Sequence, residues 1–334
     1  MPARYPTRRP TEAESDTSDP FDPPADLLNR PWIDVHNHAH TLSWADRERF
    51  SLAGCRSMVM VAAGHHWTPY RPVRAEDVRY LWDDALARRS SIERDHFVEA
   101  TLAVGVHTGV RVEDPDALLD AMGPYCELEE VVAVGETGVT PTQQGNAWPM
   151  EEQRAVVRAQ MALADDHDLP VLLHTPYAGG GTDRSYRPGV GVPGFETATG
   201  AGRERVLDGE NPALESVEHD IEAADEAGLA EERIVASHAD PNNVDYLLGS
   251  TDCYVSFTLG HSWLSGVTAA DVAAAIEEYG SERITVDTDC ANVLRTDPFA
   301  IKRAMLELYR LGVDEADVRR VVFENPREVF DVAG

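Results

Sequence analysis

Eight short apolar or β-branched runs punctuate this chain, with helical stretches between them: WIDVHNH, SMVMVAAG, FVEATLAVGV, EVVAVGE, LPVLLHT, RIVASH, CYVSFT and RITVDTD. Strands and helices that alternate in this way fold as repeated βα units around a parallel sheet. Eight units predict an α/β fold, a closed TIM (β/α)8 barrel, as a single domain over residues 31–334. The intervening segments agree. In MEEQRAVVRAQMALADDHDLP, Met150, Val157, Met161 and Ala164 share one helical face, and Pro170 then opens the next strand. Val78, Leu81, Trp82 and Leu86 form a second such stripe, and DVAAAIEEYG closes on Gly280 as a helix C-terminal signal.

The strand ends carry the chemistry. Asp34, His36 and His38 alternate along the first strand, so an extended backbone turns all three to one side. Glu136 ends the fourth strand, His174 the fifth and His238 the sixth, and Asp287 and Asp289 end the eighth. In a barrel all these C-terminal ends surround one mouth. Counting back by twos puts Val134 and Val132 behind Glu136, Leu172 behind His174, and Ala236 with Ile234 behind His238, as fillers of an inward-facing row.

A lone strand histidine is usually a core or surface residue, but polar groups at five strand ends would all have to accept costly burial by accident. Imidazoles with carboxylates and no thiolate suit divalent Zn, Mn, Fe, Co or Ni. Four histidines and two carboxylates exceed the needs of one ion, so two metals are the expected count. His40, His65, His66, His107 and His261 follow strands and are read as loop histidines outside the ligand set.

Composition sets the remaining bounds. Acidic residues number 59 against 29 basic ones, a formal charge of -30, and Lys302 is the only lysine. The acids are dispersed and the apolar fraction is 43%, which predicts a folded chain with a halophile-type acidic surface rather than disorder. Cys55, Cys126, Cys253 and Cys290 lack metal or disulfide spacing and are expected to be reduced. Residues 1–30 read as a disordered polar tail without a signal peptide or membrane span, which points to the cytoplasm, and nothing in the sequence signals a protein partner. Residues 175–211 form a glycine-rich insertion after the fifth strand, with Arg184 and Arg187 as candidate phosphate contacts.

DVHNH, VAVGETG, the helix running into VLLHTP, SHAD, VDTD and VFENPREVF, in that order, resemble the TatD-related metal-dependent hydrolases of the amidohydrolase superfamily over roughly residues 31–331. The likeness looks closest to an archaeal branch. It implies a barrel with up to two divalent ions, Mg among the candidates, and hydrolysis of phosphoesters, often in DNA. By the same resemblance His36 and His38 hold one metal, Glu136 bridges two, and His174 and His238 hold the second. Asp289 binds metal and takes a proton from the attacking water, so Asp289 and Glu136 are the catalytic candidates.

The chain departs from the family at GETGVT, where GEIGLD is usual, at the TP after His174, where no basic residue follows, and at Asp287, where glutamate is usual. Asp287 thus stays open beside Asp289 as the eighth-strand ligand, and no substrate-binding residue is assigned. The expected activity is hydrolysis of a small-molecule or nucleic-acid phosphoester by a metal-activated water. The alternatives are an amidohydrolase opening an amide or lactone, and a non-catalytic metal-binding scaffold.

Overall fold

The computed structural model describes residues 25–63, 73–109, 111–140, 148–175, 211–260, 266–291 and 297–332. Most of the predicted tail and of the glycine-rich insertion lies outside these residues, as do Arg184, Arg187, His65, His66 and His261. The described end of the tail forms helix α1 (Ala25–Asn29), in which Leu27 is buried. The Lys302 ammonium donates to the Arg30 and Leu27 carbonyls at 3.0 and 3.4 Å, so the sole lysine ties α1 to the body of the fold.

All eight expected strands form: β1 (Trp32–Asn37), β2 (Cys55–Ala63), β3 (Glu99–Gly105), β4 (Val131–Thr137), β5 (Val171–His174), β6 (Ile234–Ser237), β7 (Tyr254–Thr258) and β8 (Ile284–Asp287). They are parallel and pair in chain order from β1 to β8. Backbone bonds then join the last strand end to the first: Asp289 N–H donates to the His36 carbonyl at 2.8 Å and His38 N–H to the Cys290 carbonyl at 2.9 Å. The result is the expected TIM barrel. No described helix is long and apolar enough to cross a membrane, and all four cysteines are buried and free.

Two apolar layers hold the barrel. The inner one joins Ile33, Val35, Val59, Val61, Ala63, Ala103, Ala133, Leu172 and Val235, with Phe330 and Val332 plugging the end where β4 and β7 begin. The outer layer lies between sheet and helices and includes Val134, Ile234 and Ala236. The expected inward rows therefore hold for Leu172 behind His174, but not for Val134 behind Glu136 or for Ala236 and Ile234 behind His238.

The reason lies in backbone irregularities near the mouth, which break simple alternation. The β4–β5 register shifts between Gly135 and Thr137, and the β1–β2 register shifts between Asp34 and Asn37. His238 adopts a left-handed φ of 60°, which re-aims its ring after an outward Ala236.

Candidate metal centre

The six predicted ligands reach the mouth from five strand ends, His36 and His38 both from β1, and the geometry centres on Glu136. Its Oε2 lies 3.6 Å from His36 Nε2. Its Oε1 lies 3.3 Å from His238 Nε2 and in close contact with His174 Nδ1. Asp289 Oδ1 is 3.2 Å from His38 Nε2 and 3.7 Å from His36 Nε2. The rings of His36 and His238 are 5.1 Å apart, and those of His174 and His238 are 5.0 Å apart. All six predicted residues thus come together.

Three of the imidazoles are oriented from behind. His36 Nδ1 pairs with the Ser237 hydroxyl at 3.2 Å, His38 Nδ1 with the Val61 carbonyl at 2.9 Å, and His238 Nδ1 with the Thr258 hydroxyl at 2.7 Å. Each bond turns Nε2 toward the carboxylates, the arrangement by which neighbouring groups fix metal-binding histidines. His36 Nε2 is fully buried yet has no hydrogen-bond partner among the described residues, so its lone pair or proton faces only Glu136 and Asp289.

The electrostatics call for a cation. Burial alone depresses the His36 imidazole, but Glu136, Asp289 and Asp287 outweigh it and push the pKa up to about 10. At His174 burial wins over the pull of Glu136, and its pKa falls. A divalent ion among these groups satisfies the same field without protonating a ligand nitrogen. Donor set, orphaned nitrogen and field therefore fit hard or borderline divalent metals. Two overlapping sets of ligand atoms lie within 4.8 Å of one another, His36 with His38 and Glu136, and His107 with Glu136 and His174.

The eighth strand separates its two aspartates. Asp289, in a left-handed conformation at φ 45°, faces His38 and His36. Asp287 is fully buried and accepts from the Ser256 hydroxyl at 2.5 Å, while burial raises its pKa. Asp34 does not converge with the histidines. Its carboxylate accepts from the Thr288 N–H at 3.0 Å and the Thr288 hydroxyl at 2.6 Å, and burial pushes its pKa up to about 7. It braces the β1–β8 seam that carries Asp289.

His107 corrects the reading of the loop histidines. It is 2% exposed, its ring stands edge-on to His174 at 4.3 Å, and its Nδ1 accepts the Gly109 N–H at 2.8 Å. The available signal was its position at the end of a barrel strand, the criterion already applied to His174. His40 is also buried rather than solvated, its ring 6.1 Å from that of His38.

Comparisons with known proteins give the family and the fold. The sequence profile of the TatD related DNase family matches residues 33–331. A protein of Methanocaldococcus jannaschii described as an uncharacterised metal-dependent hydrolase is 23% identical over 298 residues, which cover 89% of this chain and 99% of that one. Among solved structures, the TatD-like protein of Archaeoglobus fulgidus superposes with a TM-score of 0.61 at 18% identity, covering 90% of this chain and all of that one. The phosphotriesterase homology protein of Escherichia coli, solved with phosphate in its active site, gives 0.57 at 15% identity, with 90% and 99% of the two chains covered. At these identities the structural matches establish the fold.

Proposed function

Because the chain belongs to the TatD-related DNase family, within the amidohydrolase superfamily, and is a metal-dependent hydrolase, we propose that it uses two divalent ions to hydrolyse a phosphoester, of a small molecule or of nucleic acid. The observation that carries this reading is the double role of Glu136, whose Oε2 faces His36 while its Oε1 faces His174 and His238. One carboxylate shared by two imidazole groups is the arrangement expected of a bridge between paired ions. His36, His38 and Asp289 would hold one ion, and His174 and His238 the other. His107 stands beside the second group as a further donor.

Ions bound there would supply Lewis acidity and lower the pKa of a water toward neutrality. Asp289, with its side chain 11% exposed against 1% for Glu136, is the carboxylate that meets solvent at the mouth. It would serve as general base, its second oxygen taking a proton from the attacking water while Oδ1 faces His38 and His36. Glu136 stays a ligand. The acidic surface favours a compact phosphoester over a long polyanion, whose approach a charge of -30 opposes. The same charge is in keeping with a salt-rich cytoplasm as the working compartment.

A screen of chromogenic phosphomonoesters, phosphodiesters, amides and lactones, with Mn2+ or Zn2+ added at high salt, tests the substrate class. Turnover of a phosphoester, lost in Asp289→Asn, supports the reading. Turnover confined to an amide or lactone replaces it with amidohydrolase chemistry, and metal binding without any turnover favours the scaffold.

A further inference from the structure

Side chains of one helix hold both polar groups of a single backbone residue next to the site. Helix α2 (Pro212–Ala227) carries Ser216 and Asp220 four residues apart, hence on one face. Val139 N–H donates to Asp220 Oδ1 at 2.9 Å, and the Ser216 hydroxyl donates to the Val139 carbonyl at 2.8 Å. Both side chains are fully buried. Gly138, just before, is pinched between β5 and the same helix. A Cβ there would lie 2.6 Å from the His174 carbonyl oxygen and 3.1 Å from Asp220 Oδ2. On the other side Gln153 Oε1 accepts the Thr140 N–H at 2.8 Å, and the Thr108 hydroxyl donates to the Gly138 carbonyl.

The strip 138–140 is thus gripped from three directions, two residues beyond Glu136 and directly against the backbone of His174. A carboxyl group is a costly way merely to fasten a helix. Asp220 Oδ2 has no hydrogen-bond partner among the described residues, and burial pushes its pKa well above the usual carboxylate range despite the Val139 bond and the more distant Arg154. An aliphatic side chain would anchor α2 without that penalty, but it could not accept the Val139 N–H.

We infer that Asp220 and Ser216 are positioning residues of the candidate metal centre, holding the 138–140 backbone so that Glu136 and His174 keep the spacing in which both can ligate. The inference rests on the reading of Glu136 and His174 as ligands. Neither Asp220 nor Ser216 touches the ions or the substrate. Both act through backbone, as groups beyond the ligands commonly do in metal sites.

The test measures Zn2+ and Mn2+ affinity of the full chain at high salt by competition with a chromogenic chelator. The chains compared are wild type, Asp220→Leu, Asp220→Asn, Ser216→Ala and Glu136→Gln, with metal-free melting recorded alongside. Asp220→Leu is expected to melt close to wild type but bind roughly 10–100-fold more weakly, whereas Asp220→Asn, which keeps an acceptor for Val139, should bind nearly as wild type does. A folded Asp220→Leu protein with unchanged affinity overturns the inference. If that variant does not fold, Ser216→Ala decides: weaker binding supports it and unchanged binding overturns it. Wild type that binds no metal, or Glu136→Gln that binds as wild type does, defeats the site reading itself. Loss in Glu136→Gln without loss in Asp220→Leu defeats the positioning role alone.

Discussion

Glu136 Oε2 lies 3.6 Å from His36 Nε2, although β4 and β1 are not neighbours in the sheet and the two side chains meet only across the barrel mouth. That contact makes the site a property of the closed barrel rather than of any one hairpin or loop.

Asp289→Asn retains size and one acceptor oxygen while removing the base. Turnover should fall by about 10²-fold or more, with at least one equivalent of metal still bound. Steady-state rates and metal content on the same preparation check this. Full activity in the Asn variant would assign the base elsewhere.

Asn325 lies at the opposite end of the barrel, where its side-chain amide donates to the Ser281 and Ile284 carbonyls at 2.7 Å each. Asn325→Ala leaves two buried carbonyls without this partner and should cost about 1–3 kcal/mol of stability. Metal affinity should not change, because the site is built at the other rim. Denaturant unfolding paired with metal titration separates the two effects.

Asp220 gives a pH dependence of defined sign. Its folded-state pKa is raised above the ordinary 3.8 by burial, so the fold favours the neutral acid. Its contribution to stability is fully present below pH 3.8 and is lost as pH rises through the folded-state value. Asp220→Asn cannot ionise. The melting temperature of the metal-free wild type relative to this variant should therefore fall as pH is raised from 3.8 toward neutrality. A difference independent of pH would show that Asp220 ionises as freely in the folded chain as in the unfolded one.

A formal charge of -30 on 334 residues makes the folded chain self-repelling at low ionic strength. Screening shortens with added salt, so melting should rise steeply from low to multimolar KCl. Near-identical melting at both extremes would remove the salt-adapted reading of the surface.

Strand number and order were legible because each strand is a short apolar or β-branched run, and the six convergent residues because five of those runs, β1, β4, β5, β6 and β8, end in groups that are costly to bury. Side-chain direction was less so. Alternation fails at Glu136 and His238, where a register shift and a left-handed backbone turn the side chain into the mouth. Neither leaves a clear mark in the strand pattern, since Val134, Ala236 and Ile234 suit either face. His107 was missed although its place after β3 matched that of His174. Asp220 was invisible for a different reason: in PALESVEHDIEAADEA it is one acid among many, and only the fold distinguishes the buried one from the solvated ones.

The most direct test of the central claim is metal content by elemental mass spectrometry on protein purified at high salt, for the native chain and for Glu136→Ala. A bridging Glu136 predicts about two transition-metal equivalents in the native protein, with a clear fall in the variant. Equal metal content in the two, or none in either after incubation with Mn2+ or Zn2+, would contradict it.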